Sequence, residues 1–250
     1  MRALSCMLTT AALACFCPCE LSAAVSEAAN SARNAAQEYG SAVRNCDLVW
    51  ALDNMYPPLR RTLADRLASR DPKQEASNAR RIMGIERESD EAARVRMQQA
   101  DRALVEQYRK MGEQMKAQGF VVERYSVGTP YSEYVVAHST GMVRPVLKDR
   151  TGATRADALQ ADADRSRIVV LPITLVVRVP AASGRMQRME RRSYIYAIRD
   201  EVVSGVNMRG TELNRWYFVD SNTQVNTLRT YFPNLPLDIA VPPTGDRLLP

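Results

Sequence analysis

The chain has 250 residues and a formal charge of +6 at neutral pH, with 34 lysines and arginines against 28 aspartates and glutamates. This length suits one domain, with a helical extension at most, and is ample for a buried core. The basic balance favours anionic partners, such as acidic lipid headgroups, cell-envelope polymers or nucleic acid. A single histidine excludes a metal site built on paired histidines.

The first 24 residues have the order of a secretory signal peptide. Arg2 supplies a positive start, residues 3–16 are mostly apolar, and residues 22–24 provide the small side chains of a cleavage site. We therefore expect cleavage after Ala24 and export to the periplasm or the medium. The stretch is shorter than the roughly 20 apolar residues that span a bilayer. Export makes nucleic acid the least expected anionic partner.

Cleavage after Ala24 would leave one of the five cysteines, Cys46. A single thiol forms no internal disulfide, and we expect it to pack as a small hydrophobe. The alternate spacing of Cys15, Cys17 and Cys19 differs from the C-x-x-C pattern of zinc and thiol-exchange sites, so no metal or cofactor is predicted. A second interpretation places the cut before Cys15, which would leave the chain anchored by lipid.

Helices are predicted in the first half of the mature chain. Residues 25–55 form one or two helical pieces with Gly40 as an internal break, and a short helix over 59–68 follows the prolines at 57 and 58. Residues 73–119 are highly charged, and apolar residues recur within them at steps of four and three, as in an amphipathic helix. This stripe consists of Ala93, Met97, Ala100, Leu104, Tyr108, Met111 and Met115. It either fills a core or lines a binding groove.

After Gly119 the sequence alternates with the period of β-strands. The predicted strands are 120–129, 131–138, 142–148, 168–179, 189–199 and 213–219. Pro172 lacks a backbone donor, so its strand requires a bulge or an edge position. In the last strand large apolar groups occupy both faces, with Trp216 and Phe218 on one and Tyr217 and Val219 on the other, which predicts burial on both.

Helices followed by a run of strands predict an α+β domain. Residues 25–119 form a helical layer, residues 120–236 form a strongly curved antiparallel sheet that the helices cover on one face, and residues 237–250 form an extended tail.

Short pieces of the chain carry a resemblance to one superfamily. They are residues 53–58, 170–173, 192–198, 215–220 and 228–236. These pieces are similar to uncharacterised exported bacterial proteins of the nuclear transport factor 2-like superfamily, whose last strand reads Trp-x-Phe-x-Asp, as do Trp216, Phe218 and Asp220. The resemblance covers about residues 45–243 in scattered pieces and implies a cystatin-like half-barrel. The charged insertion at 73–96 departs from that pattern.

Three titratable residues are candidates for catalysis. Enzymes of the fold that the resemblance implies place an acid or a histidine at the floor of the cone. Asp53 and Asp220 lie beside aromatic residues, where burial raises a carboxyl pKa, and His138 is the only histidine. The structural alternative places Asp53 at a helix end, and Asp220 and His138 in solvated turns. No Ser-His-Asp motif, phosphate-binding loop or dinucleotide motif occurs.

Two sets of side chains are candidates for binding. The aromatic set could line a cavity for an apolar or planar ligand, or fill the core; its members are Tyr194, Tyr196, Trp216 and Tyr217. The basic set could hold phosphate or carboxylate polymers, or discourage association at a strand end; its members are Arg185, Arg188, Arg191 and Arg192.

Together these patterns predict an exported, non-catalytic module that binds a small ligand or a protein partner, with a homodimer through the outer sheet face as one arrangement. Two alternatives stay open. One is a small pocket enzyme that uses Asp53 or Asp220 for proton transfer. The other is an envelope-associated protein that binds anionic surfaces through the basic hairpin.

Overall fold

The computed structural model describes residues 25–69, 89–138, 141, 143–145, 164–180, 185–201, 209–221, 225–236 and 238–250. The predicted signal peptide and the lipid-anchor alternative at Cys15 lie outside these residues. So do most of the charged insertion at 73–96 and most of the polar loop before the fourth strand.

Five helices occur in the described ranges: α1 Glu27–Arg44, α2 Leu48–Asp53, α3 Pro57–Ala68, α4 Asp90–Ala117 and α5 Val225–Arg229. Local capping starts three of them, since Ser26, Asp47 and Ser89 each accept a hydrogen bond from the backbone N–H three residues ahead. Two prolines open α3, where a missing N–H costs nothing. Within the described part of the chain, no helix has both the length and the apolar character needed to cross a membrane.

The expected break at Gly40 is wrong. Helix α1 runs through Gly40, and the turn into α2 lies instead at Cys46, a buried residue with a φ of 52°. Gly40 serves a different purpose, because a Cβ there would lie 2.0 Å from the ring of Tyr125 on the sheet. The glycine therefore permits close packing rather than a bend.

Seven antiparallel strands form one sheet in the described ranges. They are β1 Val121–Val127, β2 Ser132–Ala137, β3 Val143–Pro145, β4 Arg165–Pro180, β5 Met186–Glu201, β6 Tyr217–Asp220 and β7 Gly245–Leu249. The strands β4 and β5 pair over their whole length, from Arg165↔Glu201 to Pro180↔Met186. Strands β2 and β1 flank successive halves of β4, whereas β7 and β6 flank successive halves of β5. The fold is α+β, and none of the described pairings closes the sheet into a barrel.

Pro172 occupies neither an edge strand nor a bulge of its own strand. It lies in the central strand β4, opposite the connection between β1 and β2, and its carbonyl accepts a hydrogen bond from Gly128 N at 2.8 Å. The N and C=O of a residue in an antiparallel strand point to the same side. The nitrogen of Pro172 therefore faces the connection between β1 and β2, where neither strand requires a hydrogen-bond donor from β4.

Both faces of the sheet are covered, rather than the one that was expected. Helix α1 packs its small residues Ala29, Ala32 and Ala36 on one face. The start of α3, helix α5 and the chain after α5 cover part of the other face. Aromatic and branched apolar side chains project from both faces of β4 and β5, so both faces of the sheet must be shielded from water. The alternation predicted for the last strand is confirmed, since Trp216 and Phe218 join the α1 face and Tyr217 and Val219 the opposite one.

The helical stripe of α4 packs on α2 and α3 through Ala100 and Leu104, which meet Leu52 and Ala64. Met111 is 40% exposed and lies off this contact. The C-terminal residues, which were predicted to form an extended tail, also contain a strand, because β7 pairs with the first half of β5.

Candidate functional site

A polar groove of about 750 Å³ lies between β5, the end of β6 and the C-terminal segment. Its walls are Arg191, Arg192, Ser193, Tyr194, Ser221 and residues 241–246. The hydroxyls of Ser193 and Ser221 lie 2.5 Å apart at this site and join β5 to the end of β6. A second cavity of about 300 Å³ adjoins it and shares Arg192 and residues 243–246.

Of the four aromatic residues predicted to bind a ligand, Tyr194 lines this groove. The other three are buried in the two cores. Tyr196 packs edge-to-face against Tyr194, with ring centroids 5.4 Å apart. Tyr217 belongs to the same core as Tyr196, and its Oη accepts from the N–H of Glu212 at 2.8 Å. Trp216 lies on the opposite face, where its Nε1 donates to Ser31 Oγ at 3.1 Å.

Of the four arginines predicted to bind anions, two line the groove. Arg191 holds Asp246 with two hydrogen bonds of 2.9 and 2.8 Å, which lower the pKa of that carboxyl. Arg192 contacts Glu190 at 3.2 Å and keeps 64% of its side chain exposed. Arg188 lies nearer the start of β5 and pairs with Glu123 at 2.6 Å. Arg185 is exposed just before this strand.

The two acids proposed for proton transfer lie at the surface. The carboxylate of Asp53 is 53% exposed and pairs with Arg60 at 2.7 Å. Asp220 ends β6 and is exposed. The proton-transfer hypothesis requires an acid at the floor of a cavity, withdrawn from open solvent. Neither position meets that condition.

His138 is part of a polar chain that sequence reasoning missed. Its Nε2 lies 2.6 Å from Ser166 Oγ, and Ser166 donates to Asp200 Oδ1 at 2.5 Å. Thr211 donates to the other oxygen of the same carboxylate at 2.8 Å. Ser166 and Asp200 are fully buried, so His138 is a half-buried, hydrogen-bonded group rather than a solvated turn residue. No spacing in the sequence predicts this series of hydrogen bonds, because the residues meet only through the register between β4 and β5.

The order of these three hydrogen-bonded side chains excludes Ser166 as a catalytic nucleophile. Ser166 lies between the histidine and the aspartate, whereas a catalytic serine is bonded to a histidine that the acid orients from its other side. The single proton of Ser166 is given to Asp200, so His138 Nε2 must carry a proton and donate to Ser166. Burial and the nearby Arg209 guanidinium lower the pKa of His138, against the opposing charge of Asp200.

An ion-pair network lies on the α1 face, where the start of β4 meets the end of β5. Glu201 accepts hydrogen bonds from Arg165, Arg167 and Arg199 at 2.8, 2.9 and 2.5 Å. Arg167 also pairs with Glu133 at 2.5 Å. Burial by itself would raise the pKa of Glu201, but the guanidinium contacts outweigh it and lower this pKa to about 2. The network links β2, β4 and β5 through ion pairs.

Another groove, of about 860 Å³, runs between the end of α3 and α4 and includes Met111. Residues 70–88 connect these two helices and lie outside the described ranges, so this groove carries no assignment. Among the described residues, no group of three His, Cys, Asp or Glu side chains could hold a metal ion. No family model, curated protein or solved structure matches the chain.

Proposed function

We propose that the chain is an exported, non-catalytic module that binds a ligand in the groove between β5 and the C-terminal segment. The observation that carries this proposal is the meeting of Tyr194 with Arg191 and Arg192 in one cavity of about 750 Å³. That volume falls within the range of small-molecule sites, which are concave and carry a few convergent polar groups. An aromatic wall beside guanidinium groups suits a ligand with a flat or apolar part and an anionic part.

The proposed kinship with the nuclear transport factor 2-like superfamily, and with it a cystatin-like half-barrel, is part of this proposal. It is supported by helices that precede a sheet built on two 16-residue strands. Strands of that length accumulate twist, and a bent sheet leaves part of one face open. The groove lies beside β5 between the stretches that pair with β7 and with β6, where a bent sheet would leave room for a ligand.

Of the two alternatives, the anionic-surface function has an observation in its favour and the enzyme has none. Exposed arginines at the β5 end of the sheet would attract acidic lipid or polymer with salt-sensitive affinity. Three of the four predicted arginines already contact carboxylates, which reduces the charge that they present to a surface.

Native mass spectrometry of the protein purified from its own host tests the proposal. We expect a retained small ligand or partner that dissociates at raised collision energy. The matched test is Gly245→Phe, because Gly245 lines both cavities and a Cβ added there meets nothing within 4 Å. The aromatic ring would fill the groove without backbone strain, so the ligand should be lost.

The control is Leu248→Phe on the same strand, at a position that is 65% exposed and lines neither cavity. It should retain the ligand at the level of the unmodified protein. Equal retention by Gly245→Phe would show that the groove is not the binding site. Export is tested separately, by N-terminal sequencing of the protein from its host, which should begin at Val25.

A further inference from the structure

One row of the sheet concentrates positive charge beside the groove. Arg124 on β1 pairs with Val176 on β4, Val176 pairs with Glu190 on β5, and Glu190 pairs with Arg247 on β7. Residues opposite each other in neighbouring strands project from the same face. Arg192, two residues after Glu190, projects from that face as well. Three arginines from three strands therefore surround one glutamate.

The distances agree with this register. Glu190 has 10% of its side chain exposed, and its carboxylate lies 3.5 Å from Arg124, 3.2 Å from Arg192 and 3.5 Å from Arg247. The side chains of the three arginines are 60 to 66% exposed. One carboxylate balances one of three positive charges, so the group has an excess of two.

The cavity of about 300 Å³ opens beside these groups, lined by Glu190, Arg192, residues 243–246 and Arg247. A guanidinium offers five N–H donors in a planar fork that fits phosphate oxygens. Arg192 and Arg247 line the cavity, and Arg124 reaches the same carboxylate from β1. Each of the three side chains is 60 to 66% exposed, so donors that do not contact Glu190 remain accessible to an anion. A phosphate monoester carries a charge of about −2 near neutral pH, which matches the excess of the cluster, whereas a carboxylate carries half of it.

We propose that Arg124, Arg192 and Arg247 form a subsite for the phosphate group of the ligand, with Glu190 as the buried anion that holds the arginines together. This inference rests on the proposed binding function, because the subsite adjoins the groove and shares Arg192 with it. A ligand in the groove places its apolar or planar part near Tyr194 and its phosphate among the arginines. The shared chemistry is the phosphate group, whether it belongs to a soluble metabolite or to a lipid headgroup.

The test uses inorganic phosphate as the probe and nitrogen-15 NMR of the arginine side chains as the readout. We expect phosphate to shift the Nε–H signals of Arg124, Arg192 and Arg247 saturably at 0.15 M salt, where screening confines interactions to about 8 Å. Acetate at equal concentration should shift them less. Arg247→Gln and Arg124→Gln should each weaken phosphate binding about tenfold, the scale of one charge-assisted hydrogen bond.

Arg178→Gln is the matched control. Arg178 is 51% exposed, belongs to the same sheet face by its register with Arg188, and pairs with Glu123 at 2.8 Å. Its removal changes the net charge equally and should leave phosphate affinity within about twofold, because it does not contact Glu190. Uniform shifts of all arginine signals, or equal losses in Arg178→Gln and Arg247→Gln, would overturn the subsite. Since the wild-type shifts need no variant, a folding defect in any variant cannot hide the answer.

Further measurements distinguish a soluble phosphate ligand from a lipid headgroup, and distinguish failure of the phosphate subsite from failure of the groove as a binding site. Glycerol 3-phosphate binding without binding to phosphatidylglycerol vesicles indicates a soluble ligand, and the reverse indicates a lipid headgroup. A retained ligand that Gly245→Phe releases, with no phosphate shifts at the three arginines, refutes the subsite and leaves the binding function standing. Phosphate shifts without any retained ligand refute the groove function and leave the subsite standing.

Discussion

Replacing Gly40 with alanine should disturb the packing of α1 on the sheet and lower the free energy of unfolding. The added Cβ would lie 2.0 Å from Tyr125 Cδ1, 2.2 Å from Cε1 and 2.7 Å from Cγ. Carbon atoms in contact lie about 3.5 to 4.0 Å apart, so the ring or the helix must move by more than 1 Å, on the order of a bond length. Overpacking of this kind costs about 1 to 3 kcal/mol of folding free energy.

The same substitution has the opposite intrinsic effect on the helix. Alanine favours an α-helix over glycine by about 1 kcal/mol, and α1 continues through Gly40. In a protein that already carries Tyr125→Ala, the ring is absent and Gly40→Ala should stabilise by up to about 1 kcal/mol. The sign of the effect should therefore reverse between the two backgrounds.

Urea unfolding followed by circular dichroism measures all four proteins of this double-mutant cycle. The cost of about 1 to 3 kcal/mol in the wild type and the gain of about 1 kcal/mol without the ring give a coupling free energy of about 2 to 4 kcal/mol between positions 40 and 125. Additive effects, or a destabilising Gly40→Ala in the Tyr125→Ala background, would refute the packing of α1 on β1 through this contact.

Two further predictions concern the buried charges. The pKa of Glu201 falls from 4.5 to about 2 on folding, so its ionised form contributes about 3 kcal/mol above pH 4.5, and this contribution disappears as the pH falls toward 2. Glu201→Gln should therefore destabilise most near pH 7, and its unfolding temperature should approach that of the wild type near pH 3; a constant gap across this range would contradict the assignment. Ser166→Ala should cost about 1 to 3 kcal/mol in urea unfolding, because it removes a donor from the fully buried Asp200. The control Ser126→Ala, at an exposed hydroxyl, should change stability by less than about 0.5 kcal/mol.

Local patterns predicted the helices and the faces of the strands. The prolines at 57 and 58 mark the start of α3, and the stripe through Ala100 and Leu104 marks the buried side of α4. The alternation around Trp216 assigned its neighbours to the correct faces. These signals are read within one element, because the period of a helix or a strand fixes which side chains share a side.

Long-range pairing decided the positions that the sequence could not. Pro172 is tolerated in the central strand β4 because two separate strands meet opposite it, and no local pattern shows where a partner strand ends. Likewise Gly40 was expected to break α1, since a glycine that permits close packing and one that permits a turn look the same in sequence.

The candidate sites divide in the same way. The sequence by itself identified Tyr194, Arg191 and Arg192 as binding candidates, because aromatic and basic residues stand out in any strand. Only the tertiary structure brought Glu190 between arginines of β1, β5 and β7, and Ser166 between His138 and Asp200. The physical reason is register, since a shift of one residue between β4 and β5 would put Ser166 and Asp200, which now meet, on opposite faces of the sheet.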